Sequence, residues 1–117
     1  MSTLIEQVQA MLDPLTSGGA WYGINTTEPP KFPFIVWQRI VSVPNVSLSG
    51  PSDMQNTRVQ IDIYARTVNE VASIETAIEA LMSASAIVNV PLSSQDIYED
   101  QVKAFRIIKE YSMWSVN

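Results

Sequence analysis

The chain contains no cysteine and no histidine. The first absence excludes a disulfide framework and any thiolate metal site. The second removes the commonest metal ligand and the usual general base near neutral pH. Charge is also sparse: 16% of the residues are Asp, Glu, Lys or Arg, against roughly 25% in a typical soluble domain. A folded chain with so few ions must cover its surface with neutral polar groups or with a partner, which points toward association. No run of Lys or Arg occurs and the net charge is −5, so a nucleic-acid backbone, which is held by clustered cations, is a disfavoured ligand. No stretch approaches the roughly 20 apolar residues of a membrane span. The opening MSTLIEQVQAML lacks the basic leader of a secretory signal, and a cytosolic place of synthesis and use is expected.

What is present suits one folded domain over residues 1–117, since 46% of the chain is hydrophobic. Thr3 and Glu6 have capping-box spacing, and Leu4, Val8, Met11, Leu12 and Leu15 follow a helical stripe that Pro14 interrupts. Ser17-Gly18-Gly19 breaks the pattern, and residues 20–33, with three prolines, read as a loop or an edge segment. FIVWQRIVSV at 34–43 is rich in aromatic and β-branched residues and predicts a strand. Residues 44–57 read as a long polar connection, and 58–65 alternate as a second strand. Thr67 and Glu70 repeat the capping spacing ahead of a helix over 68–83. Strand character returns at 87–92, with Pro91 arguing for an edge, then a turn at 98–101 and a final strand over 103–115. The expected fold is α+β: a four-stranded, mainly antiparallel sheet with two helices on one face, in the order α-β-β-α-β-β.

The strands do not divide into a greasy side and a wet side. With Phe34, Val36 and Ile40 taken as core opposite Val59, Ile61 and Ile63, the other face carries Ile35, Trp37, Arg39, Val41, Gln60, Asp62 and Tyr64. That face is too apolar for open water and yet holds charges, with Arg39 and Asp62 as a candidate cross-strand pair. The expectation is that it packs on a neighbouring subunit; the alternative is that the 20–33 loop folds over it.

Chemistry is hard to find. Serines have no histidine to activate them, and Lys31, Lys103 and Lys109 sit in no recognisable motif. Asp96, Glu99 and Asp100 cluster without the spacing of a calcium loop, which suits an acidic hairpin tip. Gly18-Gly19 lacks a phosphate-loop lysine. Trp21, Trp37 and Trp114 have no basic neighbours for base stacking and read as core or interface anchors. No catalytic, metal or cofactor site is expected.

Four elements occur in order: Trp37-Gln38-Arg39, Gly50-Pro51-Ser52, Arg58-Val59-Gln60-Ile61-Asp62 and Tyr64-Ala65-Arg66-Thr67. Together with the aromatic C-terminal strand ending at Met113-Trp114, they resemble the tail-completion (tail-terminator) proteins of tailed bacteriophages. The resemblance spans nearly the whole chain and is weakest over 84–101. It implies a non-enzymatic virion protein that forms a ring, often of six copies. The ring caps the tail tube, ends its polymerisation and presents a surface for head–tail joining. The implied partners are other copies of itself, the major tail-tube protein and a neck or connector protein. DNA is implied only as something that passes through the ring, with no membrane. The implied location is the tail end or neck of the virion, with assembly in the host cytoplasm. A head-side neck adaptor and a monomeric interaction module remain as alternatives. The residues singled out for the subunit or tube interface are Trp37, Arg39, Asp62 and Tyr64 on the sheet and Ser49, Gly50, Pro51 and Ser52 on the connection.

Overall fold

A computed structural model of the chain describes residues 3–27, 29–47 and 50–115. Helix α1 spans Leu4–Leu12 and opens on a complete capping box, in which Thr3 Oγ1 accepts from the Glu6 amide and Glu6 Oε1 accepts from the Thr3 amide. Such a cap contributes about 1 kcal/mol. Asp13-Pro14-Leu15 follows as a single 3-10 turn, with the proline where a missing N–H is harmless. Helix α2 spans Val68–Ala84, capped by the Thr67 hydroxyl on the Glu70 amide. Among the described residues no helix is long and apolar enough to cross a membrane.

The α+β class stands, but the sheet differs from expectation. It has five strands in the order β1-β2-β3-β5-β4: β1 Ala20–Tyr22, β2 Phe34–Ser47, β3 Gly50–Ala65, β4 Val88–Glu99 and β5 Ala104–Ser115. The sheet is mixed, because β1 pairs parallel with β2 through Ala20–Ile35, Trp21–Val36 and Tyr22–Trp37, while all other pairings are antiparallel. β1 lies in the stretch read as a loop or an edge segment, and it forms one edge of the sheet. Gly18 makes room for it: a Cβ there would sit 1.9 Å from the Lys31 carbonyl oxygen and 2.5 Å from that of Pro33, and its amide donates to Pro33 O at 2.8 Å.

The expected connection at 44–57 is also corrected. β2 runs on to Ser47 and β3 begins at Gly50, so the stretch is a two-stranded arm. Register shifts flank Ile40 and Asn45, and the second absorbs Pro44 into the ribbon. Among the described residues β5 reaches as far as Gln55, through Ser115, and the arm extends past that point. The molecule is accordingly long, 52 × 25 × 25 Å. β4 is longer than expected and runs to Glu99; the turn falls at 100–103, with Lys103 in the left-handed region at φ 53°.

Both helices cover the same sheet face. Leu4, Val8 and Leu12 of α1 and Val71, Ile74, Ile78 and Met82 of α2 join Ile35, Trp37, Val59, Ile61, Ile63, Ile107, Tyr111 and Met113 in one core. Here the face assigned to β2 from sequence is reversed: Trp37 pairs with Ile61 and Ile35 with Ile63, which puts Ile35 and Trp37 under the helices and Phe34 and Val36 on the far side.

Candidate functional site

The far face of the sheet is the candidate interaction surface. Register sets its rows, because residues directly opposite on neighbouring strands share a face. Phe34, Tyr64, Arg106 and Ile97 form one row, and Val36, Asp62, Ile108 and Gln95 the next. Beyond them come Gln38, Gln60, Glu110 and Ser93, then Val41, Arg58, Ser112 and Val90.

Ions bind this face together without a covering layer. Arg106 is its hub, with Nη2 2.5 Å from Asp62 Oδ2 and Nη1 2.6 Å from Glu99 Oε1. Gln60 Nε2 donates to the other Asp62 oxygen at 3.0 Å, so Asp62 is buried although no helix lies over it. Burial disfavours the Arg106 cation, but its hydrogen bonds to Glu99 and Asp62 outweigh that and raise its pKa. Tyr64 stacks on Phe34 at 4.8 Å, and the Arg106 guanidinium lies 5.4 Å from the Tyr64 ring centre. Burial pushes the Tyr64 phenol up. Arg58 and Glu110 form a more exposed pair at 2.7 Å.

Among the described residues, the 20–33 stretch covers only a corner of this face. Phe32 packs at 5.0 Å on Phe34, under the Arg66 guanidinium at 4.0 Å from its ring centre. The rest is left to the strands themselves, with Val36, Ile97, Ile108 and Trp114 partly exposed.

The residues singled out from sequence separate. Asp62 and Tyr64 do lie together on the far face. Trp37 does not: it is 1% exposed beneath α1, where its indole N–H donates to Gln9 Oε1 at 2.7 Å. It is a core residue of the folded chain. The Arg39–Asp62 pair does not form, because Arg39 is opposite Val59 and Asp62 opposite Val36, which places them on opposite faces. Asp62 takes Arg106 instead. Gly50, Pro51 and Ser52 are backbone of the arm at the start of β3, and Ser49 lies outside the described residues. Local pattern gives no role to Arg106 and places Glu99 only at a hairpin tip; the available signal was an arginine in a strand otherwise dominated by apolar residues.

The helix face has an ionic group of its own. Lys109, 3% exposed, lies 3.1 Å from Glu75 Oε2 and 3.2 Å from Glu79 Oε2 of α2. Burial works against the ammonium, but both carboxylates outweigh it and raise its pKa. Burial likewise opposes the Glu75 carboxylate, and hydrogen bonds from Ser94 and Lys109 overcome it, so its pKa falls. This is a clamp of α2 onto β5. Among the described residues no group of three His, Cys, Asp or Glu side chains could hold a metal ion.

A family model described as "Tail completion protein gp17" matches residues 5–115. No curated protein matches the chain.

Proposed function

The chain belongs to the family of phage tail completion proteins, and from that premise we propose that it closes the tail tube as a ring, ends tube polymerisation and offers the head its docking surface. A structural role in the phage tail, and so a place in the virion, comes with the family. The finer reading rests above all on the uncovered sheet face, where Val36, Ile108, Ile97 and Trp114 surround the Asp62–Arg106–Glu99 network. An apolar surface with embedded ions already paired within the chain suits a protein contact better than open water.

A ring needs two different complementary patches on each subunit, because a heterologous contact closes only after several identical steps. The sheet offers several candidates: its open face, its two rims and the arm of β2 and β3. An isolated two-stranded ribbon is marginal in water, so the arm gains from lying on a neighbour or on the tube. The net charge of −5 per copy, repeated around a ring, keeps a DNA passage from adhering to its wall. The partners are further copies, with six as the expected number, the tail-tube protein below and a neck or connector protein above.

The test is a mass measurement of the purified protein alone and with tail-tube subunits, together with tube length when the protein is added to growing tubes. Ring-sized species and arrested growth are expected. Tubes that elongate unchanged, beside a protein that stays monomeric in both conditions, would sink the reading.

A further inference from the structure

We propose that copies of this chain join edge to edge, with the rim of β4 on one copy against the rim of β2 on the next. This names the surfaces that make the ring and so rests on the ring reading.

The two rims carry exposed apolar side chains. On β4, Val88 is 62% exposed, Val90 47% and Leu92 45%; on β2, Ile40 is 47% and Val41 44%. They also lie at the same height. Val90 is opposite Ser112, Ser112 opposite Arg58 and Arg58 opposite Val41, so Val90 and Val41 end one row that crosses the sheet on its far face. Direction alternates at each step from β2 through β3 and β5 to β4, so β4 runs antiparallel to β2. A rotation about an axis along the strands keeps heights and directions. It brings Val90 of one copy beside Val41 of the next, with the strands antiparallel, the more stable pairing.

Charge agrees at a second height. Asp96, Ile107, Ile63, Ile35 and Ala20 form another row. Lys31 lies beside the start of β1, its carbonyl against Gly18. The same rotation carries Asp96 of one copy to the β1 side of the next, where Lys31 is an exposed cation. Both are exposed, and among the described residues neither has an ion-pair partner.

The rims also show where backbone pairing stops. The Ala20 amide donates to Asp13 Oδ1 and the Ala20 carbonyl accepts from Gln9 Nε2, so the start of β1 is closed off by its own chain. Pro91 lacks an N–H, and a register shift follows it. Side-chain packing of the Val90–Val41 strip, with a short ladder at most, is therefore the joint. Interruptions of this kind are how natural sheets avoid indefinite edge growth.

Two full-length variants test this, Val41→Glu and Val90→Glu, each at a half-exposed position and each checked for an unchanged melting curve. Under conditions where the unmodified chain forms rings, each variant alone should lose ring population by about a hundredfold, the effect of burying an unpaired carboxylate. An equal mixture should form a two-copy species and nothing larger, since each such pair has one intact joint. In a third variant, Val41→Cys combined with Val90→Cys, oxidation should link copies into a ladder ending at the ring size; the natural chain has no cysteine to confuse it. Rings from either Glu variant at the unmodified level, a mixture without the two-copy species, or no disulfide between positions 41 and 90 of neighbouring copies would overturn the proposal and leave the ring reading standing. Lost binding of tube protein with intact rings would assign the rim to the tube and overturn it as well. An unmodified chain that forms no ring, alone or with tube subunits, would remove both.

Discussion

The two faces of the sheet are built from alternate residues of the same strands and end in opposite states. On one, Ile35, Trp37, Ile61, Ile63, Ile107 and Tyr111 meet two helices and leave water almost entirely. Its buried cation, Lys109, is held by two carboxylates of α2. On the other, no helix arrives among the described residues, and buried Asp62 with the partly exposed Arg106 and Glu99 ties β3, β4 and β5 together. The covered face supplies most of the stability, because removing apolar surface from water favours folding more than any other contribution. The open face is free to be shaped by contact with something else.

Substitutions on the two faces should therefore separate folding from assembly. The largest effect belongs to Trp37→Ala, which empties a buried site and strands Gln9 Oε1; about 3–5 kcal/mol should be lost in denaturant unfolding. Lys109→Met comes next, at about 2 kcal/mol, less than for a fully buried pair because Glu75 and Glu79 reach water. Its pH profile sharpens the point. Glu75 titrates below its ordinary 4.5, so its stabilisation is full above that value and vanishes as pH falls through the lowered pKa. Lys109 titrates above its ordinary 10.5, so its stabilisation is full below that value and is lost as pH rises through the raised pKa. Melting temperature against pH should show both losses in the natural chain. In Lys109→Met the alkaline loss should shrink to what the burial-raised phenols of Tyr64 and Tyr111 contribute, and the acid loss from Glu75 to what the Ser94 hydrogen bond sustains.

On the open face, Arg106→Ala should cost about 1–3 kcal/mol, because the buried Asp62 side chain loses its partner. The smallest effect is expected for Arg58→Ala, within about 0.5 kcal/mol, as for other exposed pairs. A loss at Arg58 as large as that at Lys109 would break the contrast between the faces.

Both helices were legible from local signals alone: two capping spacings and two apolar stripes mark elements observed at Leu4–Leu12 and Val68–Ala84. β5 was legible as well, and β3 only in its second half. The face of β2 was not, because FIVWQRIV is apolar on both alternations and only the pairing of Trp37 with Ile61 chooses between them. The arm was hidden because its prolines, serines and asparagines have a loop's composition, while the pairing of Val43 with Asn56 and Pro44 with Gln55 leaves no local signature. β1 was hidden by its three-residue length and by its dependence on Gln9 and Asp13 in the preceding helical segment. The placement of Asp62 and Tyr64 on the face away from the helices was legible, since both sit in a clean alternation. Arg106 became visible only through the β3–β5 register, which no local pattern encodes.

The chain has three lysines, Lys31, Lys103 and Lys109; the first two are exposed, and the third is shut beneath α2. An amine-reactive reagent will modify the outer two at once and the inner one only when the helix lifts away. The slow, last-labelled amine thus times the opening of the helical layer without any engineered probe.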